Sequence, residues 1–163
     1  MKIRKFIDKV LESFLVIIMG GLVLDVLWQV ISRYLLKSPS SFTDELARFL
    51  LIWVGILGAA YAAGKKMHLA IDIIVNKFNT KNKIIIYNLI NFVITLFAFF
   101  VMVIGGSNLM YILLKLGNTT PALSIPIGYI YSVIPLSGIL IIYYSIFDIV
   151  ATVKEKDKNQ SQK

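Results

Sequence analysis

A chain of 163 residues with 58% apolar and 16% charged side chains departs from the roughly 45–50% apolar and 25% charged make-up of soluble domains. Its mean hydropathy of +0.79 comes from long uncharged runs, the pattern of a multi-spanning membrane protein. The lack of cysteine excludes disulfides, thiolate metal sites and cysteine nucleophiles, and a single histidine excludes a bis-histidine haem site within one copy. A net charge of +8 would suggest nucleic acid as the partner of a soluble protein. Here the placement of the charges has a simpler cause, and no nucleic acid is expected.

The N-terminal MKIRKFIDKVLESFLVIIMGG starts basic and turns apolar, as a signal peptide does. The apolar run continues through Asp25 to about Tyr34 without an A-x-A pattern, which predicts an uncleaved first span over about 12–33. Asp25, Gln29 and Arg33 follow at four-residue steps and form one polar stripe. An acid at mid-bilayer costs about 2.5–3.5 kcal/mol, so Asp25 is expected to face protein or water. A polar seam against another helix is the favoured reading; a proton-coupling carboxylate is the sharper one.

The stretch WQVISRYLLKSPSSFTDELARFLLIW gathers charges and helix breakers between two apolar runs. Pro39 and the serines end the first helix. Ser41 or Thr43 can cap the second, over about 45–63, with Asp44 and Glu45 in its first turn at the positive end of the helix dipole. Arg48 lies four residues from Asp44 and three from Glu45, so it can pair with either. Further along, Gly55, Ala59 and Ala63 share one line with Gly58 and Ala62 beside it. Small residues at this spacing let membrane helices approach closely.

The segment GKKMHLAIDIIVNKFNTKNK is too short to span and strongly two-faced, with His68, Asp72 and Asn76 on one side. It predicts a short amphipathic helix over about 66–78 lying in the interface, its lysines reaching headgroups. A third span follows over about 84–114: Lys83 and Lys115 enclose 31 residues without a formal charge. At 1.5 Å per residue that is about 46 Å against a core of about 30 Å, so tilt plus a bend near Gly105–Gly106 is expected. Asn88, Asn91, Thr95 and Ala98, extended by Met102 and Gly105, share a face whose amides are expected to bond across to another helix. Pro121 and Pro126 then bracket a short stiff segment before a fourth span over about 125–150, which Pro135 should kink. The tail over 154–163 is expected to be solvated and disordered, leaving 1–153 as one membrane domain.

Thirteen of the seventeen Lys and Arg fall in the N-terminal tail, the loop after span two and the C-terminal tail. By the positive-inside rule both termini are cytoplasmic. The expected fold is therefore an all-α membrane protein of four tilted spans, multi-pass in the inner membrane of a bacterium, N-in and C-in.

WQVISRYLLKSPSSFTDELARFLLIWVGILGAAYA, the HLAID segment and TPALSIPIGYIYSVIPLSG, in that order and spacing, resemble the small membrane subunit of TRAP (tripartite ATP-independent periplasmic) transporters. The resemblance covers roughly residues 10–150. It implies a partner role beside a much larger membrane subunit, sometimes fused to it, that holds the substrate and sodium sites and moves as an elevator. It also implies a periplasmic binding protein that delivers a carboxylate-bearing solute, such as a dicarboxylate or sialic acid, to the outer face. No cofactor is expected in this chain, sodium belonging to the large subunit, and no enzymatic activity is expected.

The resulting expectation is a non-catalytic scaffold in a sodium-coupled organic-acid importer. Asp25, Gln29, Trp53, Gly55, Gly58, Ala59 and Ala62 are expected to meet the large subunit. Ser40, Ser41, Asp44 and Glu45, with Asn118, Thr119, Thr120 and Pro121, are expected to form the docking surface for the binding protein. Arg33, Lys37, Lys65, Lys66 and Lys77 are candidates for phospholipid headgroups. The main rival is a self-sufficient proton-coupled exporter, a homodimer working through Asp25. A membrane anchor or sensor is a third class, weakened by the lack of an extramembrane domain.

Overall fold

The computed structural model describes residues 2–38, 40–65 and 80–160, with side chains described over 4–38, 40–65 and 85–150. The expected interfacial helix over 66–78, with Lys66, His68 and Lys77, lies outside the described residues, as does Pro39.

The chain folds as α1 (Lys2–Tyr34), α2 (Ser41–Gly64), α3 (Thr80–Phe97), a π-helical segment (Ala98–Gly105), α4 (Gly106–Lys115), α5 (Ile127–Tyr131) and α6 (Val133–Gln160). Among the described residues, four stretches are long and apolar enough to cross a membrane: Arg4–Tyr34, Ser41–Gly64, Ile85–Lys115 and Ile127–Val150. The fold is all-helical with four spans, as the hydropathy pattern predicts. In lipid a spanning chain must pair its backbone amides within its own segment, which leaves helices as the form available here.

The helix ends differ from expectation for packing reasons. α1 begins well before residue 12 because Ile7, Leu11, Leu15 and Ile18 recur at three- and four-residue steps and turn toward the bundle. α6 runs on to Gln160, so the polar segment from Lys154, expected to be disordered, continues as helix. The fourth span is broken as Pro135 predicts. The break lies at Ser132, between α5 and α6, because the proline ring crowds the carbonyl four residues before it and supplies no N–H.

The long third span carries the expected irregularity, which ends at Gly105 and lies mostly before the Gly105–Gly106 pair, where φ is −62° and −64°. The irregularity is the preceding π segment. A π turn takes one residue more than an α turn, so steps of about four residues stay on one line. Ala98, Met102 and Gly106 therefore share the buried face, whereas Gly105, expected there on α-helical spacing, is exposed. The absence of a side chain matters at both contacts of this face with α6. A Cβ on Gly106 would come within 2.8 Å of Ile134, and one on Gly138 within 2.8 Å of Met102.

α1 packs on α2, α2 on α6, and α3 with the π segment on the other side of α6. Leu11, Leu57, Val133 and Tyr144 form the buried cluster, with Ile52, Trp53 and Leu140 packed around it. The amides of Asn88 and Asn91 were expected to bond across to a neighbouring helix. Instead Asn91 Nδ2 donates to the Tyr87 carbonyl at 2.9 Å and Thr95 Oγ1 to the Asn91 carbonyl at 2.8 Å, both within α3. An amide next to its own helix satisfies itself locally when the facing helix offers mainly apolar groups.

Candidate functional site

At one end of the bundle the α1–α2 turn meets the loop between α4 and α5. Ser40 caps α2, not Ser41 or Thr43. Its Oγ accepts from Thr43 N at 3.5 Å, while the buried Thr43 hydroxyl donates to the Ser40 carbonyl at 3.0 Å. Asp44 accepts from Gln29 Nε2 of α1 at 3.0 Å and, of the two acids, is the one that pairs with Arg48. Glu45 points elsewhere. Its carboxylate accepts from Ala122 N at 3.1 Å and from Leu123 N at 3.0 Å.

The loop that Glu45 holds is folded on itself. Thr120 N donates to the Ile125 carbonyl at 3.0 Å, Ile127 N to the Asn118 carbonyl at 3.0 Å, and Ile125 N to Thr120 Oγ1 at 3.2 Å. Thr120 is buried, whereas Asn118, Thr119 and Pro121 are exposed. Gly117, at φ +66°, supplies the left-handed residue that lets the chain leave α4. Gln29, Arg33, Ser40, Ser41, Asp44, Glu45 and Arg48 line a polar cavity of about 270 Å³ beside this loop. Ser40, Ser41, Asp44, Glu45 and residues 118–121 thus gather at one end of the bundle.

The residues expected to meet a larger subunit divide. Trp53 turns into its own chain: Nε1 donates to the Ile130 carbonyl at 3.0 Å and the ring lies 6.2 Å from Phe14. Gln29 is held by Asp44. Gly55 and Ala59 are exposed, Ala62 is half-buried, and a Cβ on Gly55 or Gly58 would meet nothing within 4 Å. Asp25 is buried, and its Oδ2 finds no partner among the described residues.

The opposite end holds a polar cluster that the sequence reading missed. Arg4 donates to Asp148 Oδ1 at 2.8 Å and to the Gly64 carbonyl at 2.6 Å, with its guanidinium 4.8 Å from the Phe147 ring centre. The Tyr144 hydroxyl donates to Asp8 at 2.7 Å, Tyr61 to Glu12 at 3.1 Å, and Tyr87 to Asp148 at 3.5 Å. Lys65 lies 3.6 Å from Asp8. Loss of water pulls the Lys65 ammonium down, but the Tyr61 and Asp8 oxygens outweigh that and its pKa is raised. It therefore stays charged at physiological pH. The available signal was the stepping of Arg4, Asp8 and Glu12 by four, the same spacing as Asp25, Gln29 and Arg33.

Polar side chains thus tie helices together at both ends of the bundle. A profile of the family described as tripartite ATP-independent periplasmic transporters, DctQ component, matches residues 22–155. A putative TRAP transporter small permease protein of Haemophilus influenzae is 28% identical over 148 residues, spanning 91% of this chain and 90% of that one. The sialic acid TRAP transporter small permease protein SiaQ of Vibrio cholerae is 26% identical over 137 residues, 80% of this chain and 79% of its own. A sialic acid TRAP transporter permease protein, SiaT of Haemophilus influenzae, is 40% identical over 48 residues, 29% of this chain and 8% of its own. With four spans, and a family match that runs from the middle of the first to just beyond the last, the chain belongs to the DctQ family of TRAP transporter small permease subunits.

Proposed function

We propose that this chain is the non-catalytic scaffold of a sodium-coupled importer of organic acids, working beside a large multi-spanning subunit and a periplasmic binding protein. The observation that carries this reading is the family match over 22–155, on a fold whose charged groups tie helix to helix at both ends. Sialic acid and C4-dicarboxylate appear in the names of relatives, and a carboxylate is what those solutes share. The exposed Gly55 and Ala59 face is the surface offered to the large subunit. The loop held by Glu45 is the surface offered to the binding protein. Sodium and solute sites belong to the large subunit. Thirteen of seventeen basic residues favour an inner-membrane orientation with both termini cytoplasmic, and the exposure of Arg33, Lys37 and Lys65 supports a role at lipid headgroups.

A second reading rests on Asp25, whose buried carboxylate oxygen is unpaired among the described residues. It makes the chain a homodimeric proton-coupled exporter. Reconstitution separates the two. The scaffold reading expects no solute movement from the chain alone in vesicles, and Asp25→Asn in the full complex to keep at least half of the sodium-driven uptake. Uptake or efflux by the chain alone, abolished by Asp25→Asn, would establish the exporter and remove the scaffold.

A further inference from the structure

Two open cavities on the α1–α2 side of the molecule adjoin at Val16. The first, about 610 Å³, lies near the start of α1 and is lined by Lys5, Lys9, Ser13 and Lys65, with Asp8 and Glu12 in its wall. The second, about 660 Å³, is apolar and runs between Met19, Gly20 and Leu24 of α1 and Val54 and Gly58 of α2. Val16 lines both. Together they make one groove with a charged mouth and a greasy floor.

The charges at the mouth are not equivalent. Asp8 is taken up by Tyr144 and Lys65, and Glu12 by Tyr61. Lys5 and Lys9 are exposed and make no ion pair among the described residues. The mouth therefore offers two free ammonium groups to an anion. Below it the floor stays open because Gly20 and Gly58 carry no side chain, and a Cβ on either would meet nothing within 4 Å.

Depth decides which occupant fits. Below the charged mouth at Lys5–Glu12, the less polar part of the groove runs eleven residues from Ser13 to Leu24, about 17 Å at 1.5 Å per residue. That is about half of a hydrocarbon core of roughly 30 Å, the depth of a single leaflet. A partner's spanning helix needs the whole thickness and has no use for a cationic mouth. An anionic head with acyl chains one leaflet long matches both ends of the groove. We infer that this groove binds one anionic phospholipid, its phosphate between Lys5 and Lys9 and an acyl chain along Val16, Gly20 and Gly58.

Native mass spectrometry of the full-length chain, released from mild detergent with added phosphatidylglycerol or phosphatidylcholine of matched acyl chains, tests this. Wild type should retain phosphatidylglycerol with about tenfold preference, since two surface lysines face a net negative head in that lipid and a zwitterionic one in phosphatidylcholine. The double variant Lys5→Gln, Lys9→Gln should bring the two lipids within about twofold. Gly58→Leu, or Gly20→Leu from the other wall should Gly58→Leu fail to fold, should weaken retention of both lipids about fivefold by filling the floor. Equal retention by wild type, or a preference that survives loss of both lysines, would overturn the proposal. So would thermal stabilisation by inorganic phosphate equal to that by phosphatidylglycerol, which would make the mouth a simple anion site. Unaltered lipid retention in Gly58→Leu with loss of a co-purifying membrane subunit would make the groove a helix seat, and the lipid proposal would fall. None of these readings depends on transport, so the scaffold reading stands or falls separately.

Discussion

Glu45 holds the α4–α5 loop with one carboxylate, and nothing in its local sequence announces that task. Its place in the first turn of α2 suggests a dipole-stabilising acid, which its neighbour Asp44 resembles more closely. The difference is tertiary: the loop tip presents two backbone N–H groups where Glu45 reaches and Asp44 does not. A hydrogen bond to a charged group contributes about 1.5–3 kcal/mol, and toward the low end where water competes. Glu45→Ala should therefore speed amide hydrogen exchange at Ala122 and Leu123 about tenfold and slow uptake driven by the binding protein. Glu45→Gln, which keeps an acceptor, should recover part of both. Unchanged exchange in the alanine variant would show that the loop stands without the clamp. Thr120, expected on the outer docking surface, is instead buried, its hydroxyl accepting from Ile125 N within its own loop, a placement that a residue beside Pro121 does not announce.

At the scale of helices, the number of spans and their rough limits were legible because hydropathy reports the solvent directly. The contacts between them were not. Small residues in α2 point to close helix approach, yet Gly55 and Gly58 face open space among the described residues. The glycine that admits a neighbour is Gly64, one residue beyond the expected run. A Cβ there would lie 2.7 Å from the Tyr144 ring, itself anchored by Asp8. Gly64→Leu should cost about 1–3 kcal/mol through forced repacking, visible as a lower thermal midpoint in detergent. Gly55→Leu, on the open face, should stay within about 0.5 kcal/mol. Equal midpoints for the two variants would show that α2 and α6 have slack at this contact. Spacing alone reveals that a helix can be approached closely; only the partner's position reveals where.

For the molecule as a whole, the two ends are fastened differently. Gln29, Asp44 and Glu45 tie α1, α2 and the α4–α5 loop at one end. Arg4, Asp8, Tyr87, Tyr144 and Asp148 tie α1, α2, α3 and α6 at the other. Asp148 is 4% exposed and Arg4 20% in their side chains, so this pair works in partial shelter from water. Removing one partner of a fully buried pair costs about 3–5 kcal/mol, and the exposure of Arg4 lowers the figure here to about 2 kcal/mol. Arg4→Ala should thus loosen the first turns of α1, measurable as faster exchange over residues 4–12, while Lys5→Ala leaves them unchanged. Matching exchange in the two variants would show that the guanidinium holds nothing. This cluster was hidden from the sequence because its members lie up to 144 positions apart and look individually like topology-setting charge.

The π segment leaves the third span with one residue to spare. Deleting a single residue between Ala98 and Gly105 would convert the wide turns to ordinary ones, and at 100° per residue Gly106 would arrive within about 20° of its present azimuth. Inserting one would rotate everything beyond it by about 100°, turning Gly106 away from α6. Length variation in this stretch should therefore be lopsided: losses absorbed at the cost of about 1.5 Å of rise, gains ruinous.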